Sequence, residues 1–241
     1  MKIDKIDEVL MKIDKIDEGL MKIDKIDEGL FRIFIPFEGW VCTTVYIVMD
    51  GDRAVIIDSA THPSDVDEYI LPALSELGIE RDRVGLLLLT HSHSDHAGGA
   101  KRLMDALPKM RVRGGFSEDS GEGAELARSP RYSKLSDGEM IGDRLIALAL
   151  RGHTKDSFGF FDIRTRTLLA GDCLQQRGIG KYRNGVGFPE EYRESIKKLS
   201  GMDIYRVVSA HEYDPLGDVA EGRDAVKKLL LLCLEAVFGK S

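Results

Sequence analysis

A layered α/β sandwich is the fold this 241-residue chain predicts. Short β-rich runs and amphipathic helical stretches are interleaved along it, which calls for sheets covered by helices rather than a barrel or a bundle. One run, Val84–Leu89, is apolar almost throughout, as a strand buried on both faces must be. With 43% hydrophobic residues the chain is long enough for one large domain with a buried core.

The first thirty residues are one decapeptide three times over, each copy starting with methionine and differing only where Val9 replaces Gly19 and Gly29. Repeat folds stack units of twenty or more residues on a shared core, and ten residues carrying two Ile and one Leu cannot. The apolar positions Ile3, Ile6, Leu10, Ile13, Ile16 and Leu20 recur at spacings of three and four, which permits an amphipathic helix. Residues 1–20 are therefore expected to be a duplicated tail, with residues 21–241 a single domain. The third copy runs into Phe31–Pro36 and is expected to supply the first strand.

Strands follow at Val41–Asp50 and Ala54–Asp58 around a Gly51-Asp52 hairpin turn. Pro63–Leu77 reads as a helix that Ser64 and Asp65 are placed to cap. After the Val84–Leu89 strand, helical periodicity returns over His96–Leu107, and residues 113–138 read as an irregular excursion rich in Gly, Ser, Glu and Asp. Strands are expected at Arg144–Leu150, Ser157–Ile163, Thr167–Ala170 and Tyr205–Ser209, with helices at Pro189–Leu199 and Val219–Phe238.

A formal charge of −7 argues against a nucleic-acid partner, because phosphate binding concentrates Lys and Arg on one face. Three widely spaced cysteines, Cys42, Cys173 and Cys233, suggest no disulfide framework and fit a reduced, cytoplasmic setting. The run Leu229–Leu234 is too short to cross a bilayer and ends at Glu235, so no membrane partner is expected. The N-terminus lacks the apolar segment of a secretory signal. A small-molecule substrate is the expected partner, with the oligomeric state left open.

Three of the six histidines crowd into 91–96 beside Asp95. Residues two apart on an extended segment face one side, so His91 and His93 can chelate one ion, while Asp95 and His96 face a second as the chain turns into a helix. Imidazole plus carboxylate, with no nearby cysteine pair, suits zinc, manganese or iron in a site with an open position. His153, Asp172 and His211 each follow a hydrophobic strand and a small residue, as the cluster itself does, so all of them collect at one sheet edge. His62, before Pro63 in a turn, is read as a surface residue.

The stretch Thr90–Gly99, His-x-His-x-Asp-His followed by Ala97-Gly98-Gly99, resembles the signature of the metallo-β-lactamase superfamily. Gly152-His153-Thr154, Gly171-Asp172 and His211 are similar to its later motifs. Asp58, ending Val55-Ile56-Ile57, resembles its early buried aspartate, which supports the ligands from behind. The resemblance covers about residues 22–238 and implies a four-layer αββα sandwich with metals at the edge between two sheets. It also implies that His91, His93 and His153 hold one ion, that Asp95, His96 and His211 hold a second, and that Asp172 bridges them. Two Zn2+ ions, alternatively Fe or Mn, about 3.5–4 Å apart would share a hydroxide nucleophile, with Asp95 orienting it or taking its proton.

An aspartate at position 172, rather than a cysteine, resembles the glyoxalase II, lactonase and phosphodiesterase branches; Cys173 points the other way and is read as a packed thiol. Residues 175–184 carry Arg177, Lys181, Arg183 and Tyr182, a glycine-containing basic loop suited to a substrate carboxylate or phosphate. Phe37 and Trp40 are candidates for an apolar wall. The expected function is metal-dependent hydrolysis of a small ester, thioester or lactone. Thirty residues follow His211, fewer than the helical glutathione-binding region of a glyoxalase II requires. The alternative is a persulfide dioxygenase with one iron, whose loop resembles Asp172-Cys173-Leu174 and Arg177–Gly180; a phosphodiesterase or nuclease comes third.

Overall fold

Successive residues of the central strands are apolar on both sides, and each side meets a layer of its own. The computed structural model describes residues 22–38, 41–118, 123–174, 185–211 and 219–239. A seven-stranded sheet runs in chain order through β1 (Lys22–Asp27), β2 (Leu30–Glu38), β3 (Val41–Asp50), β4 (Arg53–Ile57), β5 (Val84–Leu88), β6 (Arg111–Gly114) and β7 (Tyr132–Lys134). A six-stranded sheet contains β8 (Glu139–Ile141), β9 (Leu145–Ala149), β10 (Phe158–Asp162), β11 (Thr167–Leu169), β12 (Arg206–Val208) and β13 (Val219–Glu221), in the order β13-β12-β11-β10-β9-β8. Strands β4 to β7 are parallel, as are β11 and β12; the remaining pairs are antiparallel.

Helices cover the outer faces. On the first sheet lie α1 (Pro63–Asp65), a π turn (Val66–Ile70), α2 (Leu71–Glu76), α3 (Ser94–Ala97), α4 (Ala100–Ala106) and α5 (Ala124–Ala127); on the second lie α6 (Pro189–Ser200) and α7 (Arg223–Phe238). Three apolar layers fill the three interfaces. Tyr46, Val48, Val55, Ile57 and Leu88 meet Leu145, Ala147, Phe158, Phe160, Leu169 and Val208 between the sheets. The alternate residues Val45, Ile47, Ile56, Leu87 and Leu89 face Val66, Ile70, Leu74 and Leu103. Leu168 and Val207 face Ile196, Leu199, Leu229 and Leu230. The period-2 alternation thus feeds two cores from one strand, which gives the four-layer αββα sandwich.

Several elements differ from expectation. The third decapeptide is not one of them: it makes the expected first strand, its Ile23 and Ile26 finding apolar partners beside β2. The helix expected over His96–Leu107 starts at Ser94 and is broken at Gly98-Gly99. A Cβ on these glycines would lie 1.9 Å from the Thr61 carbonyl oxygen and 2.1 Å from that of Ser59, so the pair is needed for backbone contact. Residues 113–138 are not irregular throughout: they contain the end of β6, α5 and β7, and the Tyr132 hydroxyl lies within hydrogen-bond distance of the carbonyl oxygens of Gly114 and Phe116, at 2.8 and 2.7 Å. Val219–Glu221 is a strand, and the last helix begins only after Gly222, whose φ is +92°. Asp65, but not Ser64, caps α1, accepting the amides of Thr61 and His62 at 3.1 and 2.7 Å. The expected tail at residues 1–20 lies outside the described residues.

At the end of β9 far from His153, one buried ion pair ties the sheets together. Arg144 donates from Nε and Nη2 to Asp162 at 2.9 and 2.6 Å, and its remaining hydrogens reach the carbonyls of Glu28, Gly29 and Met49 in the other sheet. Both side chains are almost fully buried, so removing the cation strands a carboxylate in the core. Arg144→Met is expected to lower unfolding free energy by about 3–5 kcal/mol in urea titration; a loss under about 1 kcal/mol would show that the pair is not the tie between the sheets.

Candidate metal centre

Five strands stop at the same edge, and each hands the chain to a polar residue. Asp58 follows β4, His91–His96 follow β5, His153 follows β9, Asp172 follows β11 and His211 follows β12. An isolated antiparallel bridge between Thr43 and His211 closes this edge across the two sheets. The parallel pairings β4–β5 and β11–β12 keep these ends level.

All seven expected ligand residues are brought together. Three groups place one ligand atom from each member within 4.8 Å of the others: His91, His93 and His153; His91, His96 and Asp172; Asp95, His96 and His211. The Nε2 of His153 lies 3.0 Å from Nδ1 of His93 and 3.6 Å from Oδ2 of Asp172. The other Asp172 oxygen lies 3.3 Å from Nε2 of His96 and 3.4 Å from Nε2 of His211. Asp95 reaches the same two imidazoles at 3.5 and 3.2 Å. Asp172 therefore stands between the two halves of the cluster.

The outward nitrogens of four rings are engaged elsewhere. Nδ1 of His96 meets Asp58 at 2.7 Å, that of His91 meets the Thr90 hydroxyl at 3.1 Å, and those of His153 and His211 face the carbonyls of Gly185 and Cys42. With the outer nitrogens occupied, each Nε2 points to the centre. Nε2 of His91 and of His96 are buried and have no hydrogen-bond partner among the described residues. Buried nitrogens left unsatisfied around ionised carboxylates are the donor set a cation would complete, so these residues fit a zinc-type metal.

The charges agree. Burial pushes His91 well down, and the neighbouring His96 adds to that, so its imidazole is neutral and free to donate a lone pair. Burial also works against charge on His96 and His211, but Asp172, with Asp58 for the first and Asp95 for the second, outweighs it and raises both. Asp172 and Asp95 are lowered despite burial by the imidazoles around them. The cluster holds its carboxylates ionised and draws positive charge to its centre.

Asp58 has φ +63°, a conformation uncommon outside glycine, and its carboxylate accepts the Thr90 amide at 2.8 Å and the Thr90 hydroxyl at 2.9 Å besides facing His96. Cys173 packs between the second sheet and its helices, and burial pushes its thiol up. Phe37 lies beside His211, ring centroids 5.7 Å apart, and is 42% exposed. Trp40, Arg177, Lys181 and Tyr182 lie outside the described residues. Sequence reasoning missed Thr44 and Tyr46. They donate to the carbonyls of Ala210 at 2.6 Å and Ser209 at 2.8 Å, fixing the turn that presents His211. Nothing in the strand pattern around them marks two polar groups facing a distant loop.

Residues 38–211 match the model of the metallo-beta-lactamase superfamily. The chain belongs to that superfamily. Its relatives include a hydroxyacylglutathione hydrolase from a Synechococcus strain, 31% identical over 176 residues that cover 70% of this chain and 63% of the relative. A beta-lactamase-like protein 2 homolog from Caenorhabditis elegans is 27% identical, over 70% of this chain and 55% of its own length. The chain thus spans less than two thirds of these relatives. In three dimensions it is similar to a metallo-beta-lactamase from Erythrobacter litoralis, with a TM-score of 0.69, 18% identity, and coverage of 89% of this chain and 96% of the other. The superfamily's fold is present at that low identity.

Replacing Asp58 by Asn keeps the size but exchanges an ionised acceptor for an amide facing a buried imidazole. Asp58→Asn is expected to weaken metal binding by about 10–100-fold in a chelator competition; unchanged affinity would show that Asp58 does not orient His96.

Proposed function

We propose that this chain is a binuclear metallo-hydrolase acting on a small ester, thioester or lactone, with hydroxyacyl thioesters the first class to test. The position of Asp172 between two clusters of inward-facing imidazoles carries the reading. In it His91, His93 and His153 hold one zinc ion, Asp95, His96 and His211 hold a second, and Asp172 bridges them. Bound there, the pair supplies a water of lowered pKa and a Lewis acid for the carbonyl oxygen.

The protein's own groups do the rest. Asp95, held ionised by His211 and His96, is placed to accept the proton of the attacking water. Asp58 and Thr90 keep His91 and His96 turned inward through the cycle. Phe37 flanks His211 as one wall for the acyl group. Arg177, Lys181 and Tyr182, which follow Asp172 in the chain, are proposed to hold an anionic group at the far end of the substrate. The hydroxyacylglutathione hydrolase relatives support the thioester class. No described helix is long and apolar enough to cross a membrane. A cytoplasmic location and residues 21–241 as the catalytic domain belong to the same proposal.

Elemental analysis of protein purified without added metal, paired with turnover of a lactoyl thioester of glutathione, tests the reading. Two zinc per chain and hydrolysis are expected; one iron per chain with oxygen consumed on a persulfide would replace the hydrolase by the dioxygenase. Asp172→Asn is expected to reduce bound metal and turnover together, by more than about tenfold, and full occupancy with unchanged rate would remove the bridge. The double substitution Arg177→Ala, Lys181→Ala is expected to raise KM for an anionic thioester about tenfold, worth about 1.4 kcal/mol, at constant kcat. An equal KM for wild type and variant would remove Arg177 and Lys181 from substrate binding.

A further inference from the structure

His153 is held differently from the other histidines of the cluster. His91, His96 and His211 turn their outer nitrogens to Thr90, Asp58 and Cys42, which lie at the ends of β5, β4 and β3. His153 turns its own to the carbonyl of Gly185, at 2.6 Å, outside both sheets. A carbonyl only accepts, so this contact puts the imidazole proton on Nδ1 and leaves the Nε2 lone pair facing the centre. Whatever fixes Gly185 therefore fixes the ring of His153.

Gly185 leads into α6, and this lead-in and the first two turns of the helix grip the residues around His153. The Phe188 amide donates to the Gly152 carbonyl at 2.8 Å, and the buried Ser195 hydroxyl donates to that of Arg151 at 2.7 Å. Gly152 has φ +143°, and a Cβ there would lie 2.6 Å from Cβ and 2.7 Å from Cα of Tyr192. The helix thus rests directly on the backbone before the ligand, which only glycine permits. On the other side a Cβ on Gly187 would meet the carbonyl oxygen of His153 at 3.0 Å. The grip is itself anchored. Tyr192 is buried with its hydroxyl bonded to the Cys233 thiol of α7, and Ile196 and Leu199 pack in the apolar layer behind the second sheet.

We propose that Ser195 is a positioning residue for His153: it seats α6 on Arg151 and Gly152, the seated helix fixes Gly185, and Gly185 aims the imidazole. The affinity for the ion at His91, His93 and His153 is then set by a helix on the outer face of the second sheet. This rests on the reading of those three histidines as the ligands of one ion. It separates the two halves of the cluster, because His211 takes its orientation from β3 in the other sheet.

Ser195→Ala in the full-length chain tests the proposal, with nitrogen-15 NMR of the histidine rings in metal-free protein and chelator competition for zinc. The His153 ring is expected to lose the wild-type pattern of a protonated Nδ1 and a bare Nε2, while the His96 and His211 signals stay in place. The zinc-binding step that His153→Gln removes is expected to weaken about tenfold, and the step that His211→Gln removes to stay unchanged. Unchanged His153 signals, or unchanged affinity at that step, would each overturn the proposal. So would equal weakening of both steps with shifts in every imidazole, the mark of a domain loosened as a whole. A wild type that binds a single zinc would overturn the binuclear reading alone, since the ring signals of metal-free protein report on Ser195 without it.

Discussion

A carboxylate buried at the seam of two sheets governs the rest of the molecule. Asp172 is 7% exposed and has imidazoles on both sides. Ionised in such a place, it can be kept only by opposite charge brought to it. His96 and His211 take that part, and they draw in Asp95, which faces them from the other side. The imidazoles can serve only if their outer nitrogens are held, so Asp58, Thr90, and the carbonyls of Cys42 and Gly185 follow as further requirements. A cation-seeking centre is the result.

The sandwich meets these requirements because each sheet contributes strand ends to one edge. Parallel neighbours β4 and β5 deliver Asp58 next to His91–His96, while β11 and β12 deliver Asp172 next to His211. Thr44 and Tyr46 of the first sheet then hold the carbonyls of Ser209 and Ala210 in the second, so the two halves of the cluster cannot drift apart. At the opposite end Arg144 and Asp162 do similar work for the hairpin of β1 and β2. The sheets are thus pinned at two ends around an apolar middle, and the pinning residues are polar groups whose cost of burial is met only in the assembled sandwich.

The kinship with enzymes of different names explains why the centre is easier to define than its substrate. A hydroxyacylglutathione hydrolase and a metallo-beta-lactamase both lie within reach of this chain, one by sequence and one by shape. What they have in common is the layered scaffold, and function is carried by the groups grafted on it. The residues proposed to choose among substrates, Trp40 and Arg177, Lys181 and Tyr182, lie outside the described residues.

The residues of the cluster were legible because their constraint is local: His91, His93, Asp95 and His96 sit at fixed spacings, and His153, Asp172 and His211 each follow a hydrophobic run. The need for cover on two faces was legible as well, since the unbroken apolar run before Thr90 is that of a strand buried on both faces. Other features depend on partners far away in the chain. The strand at Lys22–Asp27 was expected, but its register against Ile33 and Arg32 of β2 was not. Gly98-Gly99 breaks a periodic helix because the backbone of residues 59–61 lies against it. Thr44, Tyr46 and Arg144 acquire their roles only when two sheets meet. Spacing along the chain was enough to single out the residues that gather at the strand ends, and the interleaving of strands and helices to call for a layered sandwich; which polar groups hold those residues in place was decided in three dimensions, because a hydrogen bond depends on position in space and not on distance along the sequence.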